Sequence, residues 1–255
     1  MTLPEEQHNI EIHENLKSWK KKPVLQKIYL SFYNSIASYV NQEIKGEIVE
    51  LGSGIGNLKM VLPKVICTDI FKNPWIDQVE NAYSLSFKDE SVSNLILFDV
   101  FHHLKYPGTA LKEFQRALNK NGRVVIFEPA LGLLGYIAYG LIHHEPIARF
   151  KKILWFVNNK SDLVDSEYYA AQGNATRIFC SSKYKDLLSD WNIIKVKKIS
   201  SLSYILSGGY SKKQLYPNKF LPVFMFFDKM LNILPIIFAT RLIVVIEKKE
   251  NTTSS

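Results

Sequence analysis

Glu50, three glycines at positions 52, 54 and 56, and Asp69 are the residues of this chain whose spacing can do chemistry. Alternate glycines let a backbone take positive φ and come close to a ligand. Ile48-Val49 ahead of them reads as a strand, and Asn57 to Leu62 as a helix ended by Pro63. A strand, a glycine turn and a helix N-terminus form a site for a nucleoside-bearing ligand. A dinucleotide fingerprint asks for a further glycine where Asn57 stands. Without a pyrophosphate to cradle, Glu50 suits a cationic ligand. Asp69 closes the next apolar run, Val65 to Thr68, at about the distance of a βαβ unit, and is placed to accept ribose hydroxyls.

Further candidates end later apolar runs. Asp99 follows Val92 to Phe98, where open α/β sheets put ligands. His102 and His103 come next, and an imidazole suits a general base near neutral pH. The alternative is that one of them packs and hydrogen-bonds while the other faces solvent. Glu128, after Arg123 to Phe127, is a third candidate base. His143, His144 and Glu145 do not read as a metal site, because adjacent histidines rarely converge on an ion and no third ligand is spaced to match. They read as lid or substrate-pocket residues, as do Tyr168 and Tyr169.

Taken together, Ile48 to Gly56, Cys67 to Asp69, Ser84 to Ser91, Leu95 to Leu104 and Gly122 to Pro129 resemble the strand-end motifs of class I S-adenosylmethionine-dependent methyltransferases, in their small-molecule (methyltransferase-11-like) branch. The resemblance implies S-adenosylmethionine as cofactor, with Glu50, Gly52, Ser53, Gly54 and Gly56 on its methionine and ribose side. Asp69 would lie on the ribose hydroxyls, Ile70 against adenine, Asn81 and Ala82 at the adenine edge, and Asp99 near the ammonium. His103, His102 or Glu128 would be the base. Two positions depart from the pattern. Asn81 stands where an Asp is common, and Ser93 where an Asp usually precedes the fourth strand.

The elements that must position these residues follow from periodicity. Residues 1 to 16 read as a loose start. Leu25, Ile28, Tyr29, Phe32 and Ile36 recur at helical spacing after Pro23, giving a helical cap over residues 1–45. From 46 to 130 strands and helices alternate. The expected fold is therefore α/β: a Rossmann-like, doubly wound, seven-stranded, mostly parallel sheet with an antiparallel last strand. Residues 131–180 read as a lid insertion, and 181–250 as the completion of the sheet. Within the latter, 201–236 is an insertion, with 200–216 loop-like and a helix over 220–234. Residues 251–255 read as a disordered tail.

Bulk composition narrows the function classes. The chain has 255 residues and a net charge of +8, and residues 181–255 hold 12 Lys or Arg against 5 Asp or Glu. Such a tail suits a solvated face, an acidic partner or an anionic surface. Two cysteines form no disulfide framework and no metal spacing, and the default compartment is the cytoplasm. The turn after Phe98 lacks the prolines of base-directed amino methylation. Neither cysteine follows a proline, as a cytosine C5 nucleophile does, so no nucleic acid is expected. The expected acceptor is a small, lipid-like or glycan-like molecule methylated on oxygen or nitrogen, with weak membrane-surface contact as an option. The alternatives are a non-catalytic cofactor-binding module and a nicotinamide oxidoreductase.

Overall fold

The computed structural model describes residues 4–142, 147–148, 151–159 and 169–250. His143, His144, Glu145, Tyr168 and the 251–255 tail lie outside the described residues. Two helices lead, α1 (Pro4–Lys21) and α2 (Pro23–Ala37). The alternating part follows as β1 (Glu47–Leu51), β2 (Ile66–Asp69), β3 (Gln78–Val79), β4 (Val92–Phe98), α3 (Pro107–Ala117) and β5 (Leu118–Pro129). Then come α4 (Leu133–Ile142), α5 (Asn174–Phe179), β6 (Trp191–Ser200), α6 (Leu202–Ser207), α7 (Leu221–Leu231), α8 (Pro235–Phe238) and β7 (Ala239–Lys248).

The seven strands form one sheet in the order β3-β2-β1-β4-β5-β7-β6. Pairing is parallel from β3 through β5, while β7 runs antiparallel to both β5 and β6. The strand order reverses between β1 and β4, which opens a crevice at their carboxyl ends. Period-two alternation divides the core between the two faces. Leu95, Leu97, Val124, Ile126, Leu242 and Val244 pack one way, against Leu111 and Phe114 of α3. Ile96, Val125, Phe127, Ile243 and Val245 pack the other way, against Leu25, Ile28, Phe32 and Ile36 of α2. A sheet covered on both faces explains why β4 reads as a nearly unbroken apolar run.

Several elements differ from the sequence reading. Residues 4 to 21 are one helix rather than a loose start. Glu5 and Glu6 in its first turn and Lys20 and Lys21 in its last complement the helix dipole. The segment after Gly56 is a single 3-10 turn, Asn57–Met60, not a full α-helix. The loop-like 200–216 stretch contains α6, whose first turn is held by Asp228 of α7. Residues 182–188 form two 3-10 turns, with α5 ahead of them.

Ser93 is the second residue of β4 and fully buried. Its hydroxyl lies 3.1 Å from the Gly46 carbonyl and 3.0 Å from that of Glu47, tying β4 to the entry of β1. A carboxylate cannot donate to two carbonyls. Restoring the family's residue with Ser93→Asp should therefore lower stability by at least about 2 kcal/mol. A thermal melt matching the native protein would contradict this account of the departure.

Candidate active site

The crevice opens into a cavity of about 1110 Å³, above the ~300–1,000 Å³ usual for one ligand. One half is made by the ends of β1 and β2. Ser53 locks them together: its N–H donates to the Thr68 carbonyl at 2.8 Å, and its Oγ accepts from the Thr68 N–H at 3.1 Å. The glycine turn is thereby held at positive φ. A Cβ on Gly54 (φ +54) would meet nothing within 4 Å, so the backbone there lies open to the cavity. Asp69, buried at the end of β2, accepts the Gly54 N–H at 3.0 Å and the Ile70 N–H at 2.8 Å. Ile70 is half-exposed into the same space.

Glu50, Gly52, Ser53, Gly54, Asp69 and Ile70 all line this cavity, as do Asn81, Ala82, Asp99, His102 and His103. Two predicted residues do not. Gly56 (φ +66) is needed for packing, since a Cβ there would sit 2.7 Å from the Trp75 carbonyl. Glu128 is fully buried behind His102. The Asn81 side chain closes its own turn by accepting the Tyr83 N–H at 2.9 Å.

The chain's architecture and sequence compare with known proteins in a consistent way. Residues 49–126 match a family model described as a methyltransferase domain. Those residues form a class I S-adenosylmethionine-dependent methyltransferase domain. The fold is also that of a Thermotoga maritima S-adenosylmethionine-dependent methyltransferase described as a possible histamine N-methyltransferase. The two are 18% identical with a TM-score of 0.54, over 93% of this chain and 99% of that one. A methyltransferase of this class from Archaeoglobus fulgidus is 12% identical with a TM-score of 0.53, over 87% and 94% of the two chains. A Haloferax volcanii putative methyltransferase, solved with its Trm112 activator, is 12% identical with a TM-score of 0.52, over 98% and 99%. No curated protein sequence matches.

The cofactor of this methyltransferase is S-adenosylmethionine. The open floor at Gly54, the buried carboxylate at Asp69 and the exposed apolar Ile70 fit an adenosine bearing a ribose diol. Glu50 is 3% exposed and faces the cavity. Burial pushes its carboxyl up to about 7, despite hydrogen bonds from Ser53 and Cys67. Its ionisation costs stability as pH rises from the ordinary carboxylate range through about 7, and a cationic ligand offsets that cost.

Sequence reasoning missed two participants. The first is His8 of α1, whose Nε2 lies 3.1 Å from Asp69 Oδ1, so α1 covers the Asp69 side of the cavity. Burial works against a charge on His8, but the Asp69 carboxylate outweighs it, with Glu11 and Glu5 helping, and the imidazole pKa is raised. The contact is therefore complete below the ordinary imidazole pKa and is lost as pH rises through the raised value. The second is Arg241, the third residue of β7, which is fully buried. It makes a two-pronged pair with Asp99, through Nη1 to Oδ1 and Nη2 to Oδ2 at 3.0 Å. Its guanidinium carbon lies 4.5 Å from the Tyr204 ring centre, 5.4 Å from Phe32, 5.5 Å from Phe127 and 5.7 Å from Phe98. Asp99, expected near the cofactor ammonium, thus has its charge answered by Arg241. It sits at φ +56, a conformation Asp tolerates better than most residues.

The other half of the cavity is walled by tyrosines, including Tyr29, Tyr139, Tyr204 and Tyr210. Burial raises the phenol pKa of Tyr29, Tyr139 and Tyr210, so these groups stay neutral and serve as hydrogen-bonding walls rather than bases. His102 is buried, and its Nδ1 lies 2.7 Å from Glu128 Oε2. Glu128 Oε1 accepts the Phe101 N–H at 2.7 Å. The carboxylate puts the imidazole proton on Nδ1 and leaves Nε2 as the basic nitrogen. His103 Nδ1 donates to the Tyr169 carbonyl at 3.0 Å, and its ring lies 4.1 Å from that of His102. Among the described residues no group of His, Cys, Asp and Glu could hold a metal ion.

Two outcomes follow. Cofactor affinity should increase as pH rises through about 7. Glu50→Gln should remove most of that dependence, and His8→Ala should tighten binding on the acid side by freeing Asp69. Calorimetric titration across this range checks both, and a profile identical in all three proteins contradicts them. Separately, Asp99→Ala should cost about 3–5 kcal/mol by leaving a buried guanidinium uncompensated. Denaturant unfolding showing less than about 1 kcal/mol would overturn the pair's structural role.

Proposed function

We propose that this methyltransferase transfers the methyl group to an oxygen or nitrogen of a small or lipid-like molecule seated against the tyrosine wall, with His102 as general base. The observation that carries this reading is the buried Glu128–His102 pair facing a cavity large enough for cofactor and acceptor together. When bound, the cofactor supplies an electrophilic methyl on a sulfonium. Glu50, Asp69 and the turn at Gly52 to Gly54 would hold it so that this methyl faces the acceptor. His102 takes the acceptor proton at Nε2, and the Glu128 carboxylate stabilises the resulting imidazolium.

The tyrosines hold and orient the acceptor by apolar contact, and their neutral hydroxyls leave proton removal to the histidine. Segments 130–156 and 201–236 cover the acceptor in this reading. Ala138 and Tyr139 of α4 and Tyr204 and Ile205 of α6 line the cavity, which supports the assignment. His103, aligned by Tyr169, is a positioning neighbour of His102.

Methyl-labelled cofactor supplied with fractionated cell extract tests the acceptor class. Label is expected in small-molecule or lipid fractions, and label confined to nucleic acid would sink the reading. Once an acceptor is in hand, His102→Ala should lower kcat by about 10²–10⁴ with cofactor affinity unchanged. Glu128→Gln should add nothing to His102→Ala, because the two act as one unit. Unaltered turnover in His102→Ala removes it from the mechanism.

A further inference from the structure

The last third of the chain carries an apolar surface that the fold leaves uncovered. Phe226, Phe227 and Met230 lie on one exposed side of α7. Ile233 and Ile236, 71% and 77% exposed, carry the surface onward to α8. α4 packs beside α8 and adds exposed Leu133. Contiguous exposure of this kind marks an interaction site.

The charges around this surface select its occupant. Between residues 201 and 240 the one carboxylate in the sequence is Asp228, against Lys212, Lys213, Lys219 and Lys229. Asp228 is turned inward. Its Oδ1 accepts the Ser203 N–H at 3.1 Å, and its Oδ2 accepts the Ser203 hydroxyl. The four lysines are exposed. The apolar side of α7 is therefore flanked by exposed Lys219 and Lys229, with no exposed carboxylate among the described residues of 201–240. A second copy docked face to face would set lysines against lysines with no carboxylate to answer them. Anionic headgroups answer them directly.

We propose that the α4–α7–α8 face docks onto an anionic phospholipid bilayer. Its apolar side chains enter the headgroup–acyl boundary while the lysines lie at the phosphates. The same elements reach the acceptor cavity: α4 contributes Tyr139 to it, and α7 packs on α6, which contributes Tyr204. Docking does not depend on the identity of the acceptor. Among the described residues no helix is long and apolar enough to cross a membrane.

Flotation of the full chain with phosphatidylcholine vesicles, with and without phosphatidylserine, tests the proposal. Binding is expected to the anionic vesicles, about tenfold weaker without phosphatidylserine and weakened by salt. The double variant Phe226→Ser, Ile236→Ser should lower partitioning at least about tenfold. Its melting shift with cofactor should match that of the native protein. Lys219→Glu with Lys229→Glu should abolish the lipid preference. No flotation with anionic vesicles at low salt overturns the proposal, as does binding that the apolar pair leaves unchanged. A sedimentation dimer dissolved by that same pair assigns the face to a second copy, and overturns it too.

Discussion

Carboxylates crowded at the carboxyl ends of neighbouring strands, three of the four buried, are the constraint on which this site is built. Glu50, Asp69, Asp99 and Glu128 end β1, β2, β4 and β5 around one crevice. A buried charge must be answered or neutralised. Asp69 is answered by two backbone N–H groups and His8, Asp99 by Arg241, and Glu128 by His102 and the Phe101 N–H. Glu50 faces no cationic side chain among the described residues, and its carboxyl rises to about 7. It is the carboxyl at these strand ends that burial, above all, holds near neutrality.

Chemistry and fold share the same side chains. Arg241 joins β7 to the end of β4 through Asp99, and its guanidinium is enclosed by rings from α2, β4, β5 and α6. Those rings belong to the core that holds the sheet, and Phe98 and Tyr204 among them also line the cavity. Rigidity at this point places His102 Nε2, because Glu128 and Phe101 are fixed by the same strand ends.

The site and the outer surface are connected by short helices. α1 closes the Asp69 side of the cavity, while α4 and α6 close the tyrosine-lined side. The outward sides of α4, α7 and α8 remain apolar. α4 therefore both lines the cavity and carries part of this exposed apolar surface.

Much of the cofactor half was legible in order along the chain. The strand, the glycine turn and Asp69 are local in sequence, and positive φ at Gly54 follows from the residue type itself. The seven-stranded topology followed from alternation and from the resemblance. Gly56 and Glu128 were misplaced because glycine spacing does not reveal a Trp75 carbonyl, and a strand-end position does not say which way a side chain turns. Arg241 and His8 were invisible for another reason. Each reaches the site across a long sequence separation, one because an antiparallel strand begins where parallel strands end, the other because a helix folds back over the crevice. Local pattern determined which residues could grip a cofactor. Only tertiary packing decided which charges meet, since burial and pairing belong to no single segment.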